Sequence, residues 1–202
     1  MALGVAEAQT LRDSLRGARA RLASGTYNGG VFERIRRFVG RSPEPFPDLA
    51  EIRLRPIGVV RNGKKGEPKA GWEDVVSRVV IRPELEEALL GLDGWSHVVV
   101  LFWPHLVPED VRGSKPRLHP RDDPSNPLQG VLATRAQIRF NPILSTAVRL
   151  LEVKENVLRV RGLDALEGTP VLDVKPYIPH FDSVADAEVP EWVLRYRQEE
   201  GD

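Results

Sequence analysis

The 202-residue chain contains no cysteine, which excludes a disulfide scaffold, thiolate chemistry and any Cys-ligated zinc or iron–sulfur site. It has no long uncharged apolar run and no signal-peptide layout at its start, so a cytoplasmic protein is expected rather than an exported or membrane-spanning one. Gly-x-Gly occurs nowhere, which removes both the dinucleotide fingerprint and the similar loop of the commonest methyltransferase fold. A Gly-rich phosphate loop ending in Lys-Ser or Lys-Thr is absent as well. The four histidines, His97, His105, His119 and His180, match no zinc signature, and no Ser/His/Asp triad pattern is visible. Asp122 and Asp123 in "HPRDD" have metal-ligand chemistry, but a solvated polar loop accounts for them better, and no metal is expected. Net charge is zero, with 29 basic and 29 acidic residues, and argues neither for nor against a nucleic-acid partner.

What is present divides the chain into three regions. Residues 1–50 read as a basic helical extension. Leu11, Leu15, Ala18 and Leu22 recur at helical spacing after Thr10, and Phe32, Ile35 and Val39 do so in a second segment. Residues 1–41 hold eight arginines against Glu7, Asp13 and Glu33, and Pro43, Pro45 and Pro47 then make a stiff linker. Residues 51–185 change to strand texture, and residues 186–202 form an acidic tail.

Seven β-rich runs are expected in the middle region: 52–61, 75–82, 95–103, 130–135, 146–153, 156–163 and 169–177. The run "WSHVVVLFW" is continuously apolar, as in a strand buried on both faces. The break "KEN" at 154–156 predicts a hairpin with Leu158 and Val160 on one face and Arg159 and Arg161 on the other. One helix is expected over 83–92, with Pro83 in its first turn. The sum is a mainly β fold, a mostly antiparallel barrel with a short helix, since strands do not alternate with helices.

Polar motifs sit at the ends of these strands. "FWPH" closes one, "ATRAQIRFNP" follows another, and "GLDALEGTPVLDVKPY" straddles two. Strand ends on one barrel rim converge, so His105, Arg135, Asn141, Asp164, Glu167 and Tyr177 are expected to share a cleft. The plainer alternative is that Arg135 pairs with Asp164 or Asp173 to pin loops.

On these residues the chain from about Ile52 to Asp182 resembles the TrmO (YaeB or TsaA-like) family. The family pattern Gly-Val-Phe-Ala-Thr-Arg-Ser-Pro-x-Arg-Pro-Asn-Pro-Ile-Gly-Leu-Ser resembles "GVLATRAQIRFNPILST" at 130–146, and Gly-Leu-Asp-x-x-Asp-Gly-Thr-Pro-Val-x-Asp-x-Lys-Pro-Tyr resembles 162–177. "RPIGVVR" (55–61) and "GLDGWSHVVVLFWPH" (91–105) match in the same order. The chain departs at Ala136-Gln137, at Phe140 and at Leu144-Ser145-Thr146, where the family pattern has Gly-Leu-Ser.

The resemblance implies an S-adenosyl-L-methionine-dependent methyltransferase on a β-barrel, acting on N6 of threonylcarbamoyl-adenosine at position 37 of tRNA, in the anticodon loop. It also implies a homodimer with the cofactor near the subunit interface. By motif position the cofactor would touch Pro68, Lys69, Ala70, His105, Leu106, Arg135, Ser145, Leu163, Asp164, Ala165, Leu166 and Glu167. A guanidinium such as that of Arg135 suits a carboxylate, and Asp164 or Glu167 suits an ammonium or a ribose diol. Two other readings of the residues stand beside it: a barrel methyltransferase for a small molecule or protein, and a non-catalytic module that binds the cofactor or RNA.

Overall fold

The computed structural model describes residues 47–68 and 71–194. The expected helices and linker before residue 47, the pair Lys69-Ala70 and the end of the tail from 195 lie outside the described residues. The chain divides into units 1–52 and 53–202, and the barrel lies wholly within the second.

Six strands close into an antiparallel barrel: β1 (Gly58–Arg61), β2 (Val76–Ile81), β3 (His97–Phe102), β6 (Leu144–Lys154), β7 (Val157–Arg161) and β8 (Pro170–Pro176). The order around the barrel is β1-β2-β7-β6-β3-β8, and β8 pairs back onto β1. Two short strands outside it, β4 (Arg117–Leu118) and β5 (Gln129–Gly130), pair with each other.

Period-two alternation decides which side chains fill the interior. Val60, Val79, Val98, Val100, Val148, Leu158, Val160 and Val171 are at most 2% exposed and make one core with Ile81, Phe102 and Leu163. Small β-branched residues suit six strands, whose interior has room only for side chains. Closing the sheet needs local bending. Register shifts at Leu101/Phe102 between β3 and β8, and at Leu150/Glu152 between β6 and β7, supply it. At Gly58 the backbones come too close for any side chain: an added Cβ would lie 2.6 Å from the Val80 carbonyl oxygen.

The 154–156 hairpin forms as expected. Glu155 and Asn156 join β6 to β7, Leu158 and Val160 point inward, and Arg159 and Arg161 are exposed. Asn156 also ties the turn to β2, donating from Nδ2 to the Ile81 carbonyl at 2.5 Å.

Three expectations differ from the structure. "GVLATR" is not a barrel strand: only Gly130 of it pairs, and Val131–Ala133 make a 3₁₀ turn. Six strands already complete the barrel, which leaves no edge for a seventh. The segment 83–92 forms 3₁₀ turns over Pro83–Leu89 and Leu92–Gly94 rather than one α-helix: Leu85, Leu89 and Leu92 pack against the core only partly buried, and Gly91 at φ 80° interrupts the run. β3 alternates despite its continuous apolar sequence. Val98, Val100 and Phe102 are buried, whereas His97, Val99 and Leu101 are only half-buried, because a strand in a closed barrel has a single interior face.

Candidate functional site

One rim of the barrel gathers the ends of β1, β7 and β3 and the starts of β2, β6 and β8. The loop 162–169 between β7 and β8 crosses this rim. It is bracketed by Gly162 (φ 91°) and Gly168 (φ 81°), conformations that β-branched or bulky residues rarely adopt. Leu163 is fully buried and Ala165 is 3% exposed, so alternate residues anchor the loop in the core.

A dense set of bonds fastens this loop to the segment after β1. The Glu167 carboxylate accepts from the backbone N–H of Asn62 at 2.6 Å and of Gly63 at 2.8 Å, and from Arg61 Nη1 at 3.0 Å. The Glu167 N–H donates to the Lys64 carbonyl at 2.8 Å, and the Gly168 N–H to the Val60 carbonyl at 2.9 Å. Asn62 Nδ2 donates to the Ala165 carbonyl and to Ser77 Oγ, both at 2.9 Å, which satisfies the fully buried Ser77 hydroxyl. The two backbone donors, together with Arg61, hold the Glu167 carboxyl down at about 2, against an ordinary value of 4.5.

Two adjoining cavities open at the same rim. The first, of about 480 Å³, is lined by His105, Leu106, Asp164, Ala165 and Leu166, with Trp72, Glu67 and Thr169 among the other contributors. The second, of about 450 Å³, is lined by Arg135, Arg139, Ser145, Thr146, Ile143 and Ala147. Phe102, Gln137, Leu144 and Asp164 line both, so the cavities share a wall. Sizes of this order suit a small ligand.

The polar groups at these cavities are held by neighbours. Arg135 Nη2 donates to the Ser145 carbonyl at 2.6 Å and to Ser145 Oγ at 3.2 Å. Thr146 Oγ1 donates to Asp164 Oδ1. Successive residues at the start of β6 therefore fix one cation and one carboxylate. Arg135 does not pair with Asp164, and Asp173 pairs with Lys175 at 2.6 Å, so the loop-pinning alternative does not hold. His105 Nδ1 lies 3.3 Å from Thr169 Oγ1, which orients the imidazole at the cavity edge.

The structure brings most of the sequence-predicted residues together. His105, Leu106, Asp164, Ala165 and Leu166 line the first cavity, and Arg135 and Ser145 the second. The Leu163 side chain belongs to the core rather than to a cavity wall, and Glu167 spends its carboxylate on the clamp to residues 61–63. Pro68 accepts a hydrogen bond from the Gly71 N–H at 3.0 Å and lines neither cavity.

Tyr177 and Asn141 do not join the cleft. The Tyr177 N–H donates to the His97 carbonyl at 3.0 Å, and the two rings lie 6.4 Å apart at the opposite end of β3. Adjacent antiparallel strands send the end of β8 and the end of β3 to opposite rims. Asn141 is exposed, and its carbonyl accepts from the Ile143 N–H at 2.7 Å.

Arg139, the second arginine of "ATRAQIRFNP", lines the second cavity beside Arg135, and Trp72, Gln137, Thr146, Thr169 and Leu144 are among the lining residues that sequence reasoning did not select. Gln137, Leu144 and Thr146 stand where the chain departs from the family pattern, which was the available signal. In "HPRDD", the Asp123 carboxylate accepts from the Ser125 N–H and hydroxyl, both at 2.8 Å, and the loop folds on itself. Among the described residues, no group of three or more His, Asp or Glu side chains converges on a metal-sized space, and no helix is long and apolar enough to cross a membrane.

Comparison with known proteins accords with this geometry. The family model of the tRNA-methyltransferase O N-terminal domain matches residues 62–183, and the chain belongs to that family. A probable S-adenosyl-L-methionine-binding protein of Methanothermobacter thermautotrophicus is 44% identical over 66% of this chain and 96% of its own length. A putative S-adenosylmethionine-dependent methyltransferase, RcsF, of Pseudomonas aeruginosa is 48% identical over 50% of this chain and 43% of its own length. The crystal structure of TrmO from Pseudomonas aeruginosa superimposes with a TM-score of 0.57 at 35% identity, covering 70% of this chain and 62% of that one. The chain thus spans about three fifths of that solved structure.

Proposed function

We propose that this member of the tRNA-methyltransferase O family binds S-adenosyl-L-methionine in the two adjoining rim cavities and transfers its methyl group to tRNA. The acceptor we assign is N6 of threonylcarbamoyl-adenosine at position 37. One observation carries the reading: four stretches far apart in sequence, 104–107, 135–147, 164–166 and Trp72, line adjoining cavities on one rim.

The donor set fits the cofactor. Arg135 and Arg139 supply guanidinium groups for its carboxylate, and Asp164 supplies an anion for its ammonium or ribose hydroxyls. Trp72, Phe102, Leu106 and Leu144 offer apolar surface for its adenine. When bound, the cofactor supplies an electrophilic methyl on sulfonium. The chain's own contribution is placement, since methyl transfer requires the acceptor nitrogen in line with that carbon. His105, oriented by Thr169, and Gln137, on the wall common to both cavities, border the space in which an acceptor base would lie.

A homodimer belongs to the same reading. Leu106 and Ile143 line the cavities yet remain 62% and 39% exposed, and Leu132 and Phe140 are 71% and 55% exposed on segments leading into them. A second copy covering these side chains would enclose the cofactor.

The test is nucleoside mass spectrometry of tRNA from cells with and without the gene. The N6-methylated form of threonylcarbamoyl-adenosine should disappear on deletion and return with the intact gene. Unchanged nucleosides, with cofactor binding intact in the purified protein, would overturn the tRNA acceptor and leave the cofactor site standing.

A further inference from the structure

The outer surface of the barrel carries an arrangement that the cofactor site does not use. Arg61 on β1 stands directly opposite Arg78 on β2, and Arg78 stands opposite Arg159 on β7. Two residues along, Arg161 on β7 stands opposite Arg149 on β6. All five are exposed, because inward Val60, Val79, Ser77, Val160, Leu158 and Val148 alternate with them. Three arginine pairs are therefore cross-strand neighbours, on strands about 4.8 Å apart.

Like charges directly opposite one another weaken a sheet. Two carboxylates offset part of this: Glu167 pairs with Arg61 and Glu152 with Arg159, each at 3.0 Å. Arg78, Arg149 and Arg161 have no carboxylate partner among the described residues. The fold gains nothing from this juxtaposition, whereas a polyanion does: closely spaced planar guanidinium groups match successive phosphates, each able to accept two parallel N–H bonds. The array also begins at the functional rim. Arg61 bonds Glu167, which directly follows the cavity-lining segment 164–166.

We propose that the outer face of β1, β2, β7 and β6 is a phosphodiester-binding surface, on which Arg61, Arg78, Arg159, Arg161 and Arg149 hold the backbone of the RNA whose base is modified at the rim. This rests on the tRNA reading above. The bound backbone supplies the negative charge that the sheet lacks and fixes the direction from which the acceptor approaches.

The experiment measures tRNA binding to the full chain by fluorescence anisotropy over roughly 50 to 200 mM salt, with cofactor affinity followed by calorimetry. In the triple variant Arg78→Ala, Arg149→Ala, Arg161→Ala, tRNA affinity should fall at least about tenfold and the slope of log K against log salt by about two to three. The matching Arg→Lys triple variant should keep most of the slope. Cofactor affinity and melting temperature should not fall in either. Wild-type binding of tRNA with an unchanged slope in the Ala variant would overturn the array and leave the tRNA reading intact. A wild-type chain that binds no tRNA would overturn both, as would retention on phosphatidylserine vesicles in its place. A lowered melting temperature in the Ala variant would show that the arginines serve the fold, and would also overturn the proposal.

Discussion

Leu163 opens the loop that lines the first cavity, yet its side chain is fully buried among Leu158, Val160, Val171 and the rest of the core. Leu163→Ala tests whether it anchors the loop or touches the cofactor. Truncating a buried leucine removes transfer free energy and leaves a cavity, together about 2 to 5 kcal/mol. In a unit of this size each kcal/mol moves the melting temperature by roughly 2 to 4 °C. A central loss of about 3 kcal/mol therefore predicts a fall of roughly 6 to 12 °C. The comparison is Leu106→Ala, whose side chain lines the cavity and is 62% exposed. That change should move the midpoint by under about 2 °C, since exposed substitutions cost within roughly 0.5 kcal/mol, while weakening cofactor binding. Thermal unfolding by circular dichroism gives the midpoints, and calorimetric titration well below both gives the affinities. If Leu163→Ala kept the wild-type midpoint while losing cofactor affinity, the anchoring argument would be wrong.

Arg135→Ala should do the opposite of Leu163→Ala: affinity for S-adenosyl-L-methionine falls at least tenfold, about 1.4 kcal/mol, with little change in melting temperature; equal affinities by calorimetry would retire its role. Glu167→Gln should destabilise the chain in a pH-dependent way. Because the folded carboxyl is lowered to about 2 from 4.5, its contribution is fully present above about pH 4.5 and is lost as pH falls towards 2. The gap in melting temperature between wild type and Glu167→Gln should thus close over that window, and a gap that widened there would contradict the clamp. Light scattering should give a mass twice the 22.6 kDa of the chain, and Leu132→Asp should shift it towards the monomer; a wild-type monomer at micromolar concentration would count against the shared interface.

The barrel was legible because alternation is a local property. "NVLRVRGL" shows its inward Leu158 and Val160 without reference to any partner strand, and six of the seven expected strands formed. The seventh, "GVLATR", has the same β-branched and apolar character, but strand texture cannot count how many strands a closed barrel admits. The cavity residues were legible as motifs, while their division of labour was not. Asp164 and Glu167 look alike in "GLDALEG". Only the fold sets Glu167 against the Asn62 and Gly63 N–H groups and leaves Asp164 on the wall between two cavities. Tyr177 was misplaced for a similar reason. Its motif neighbours lie at one rim, but the seven residues of β8 carry the chain across to the other.

Charge was the least legible property, and the reason is geometric. Equal totals of 29 and 29 describe the whole chain, whereas a partner meets one face at a time. Along β7 the sequence "VLRVR" reads as an ordinary half-buried strand with a solvated outer side. Nothing local indicates that Arg159 will meet Arg78, or Arg161 meet Arg149, because those encounters depend on registers between residues up to 81 apart in sequence. Pairing is chosen by the inward residues, which must place Leu158 opposite Val79 and Val160 opposite Ser77 to fill the core. With the period fixed at two, the outward residues receive their neighbours as a consequence. Core packing thus sets a like-charged array against the sheet's own electrostatic preference. That conflict between packing and charge is relieved when a polyanion lies across β1, β2, β7 and β6.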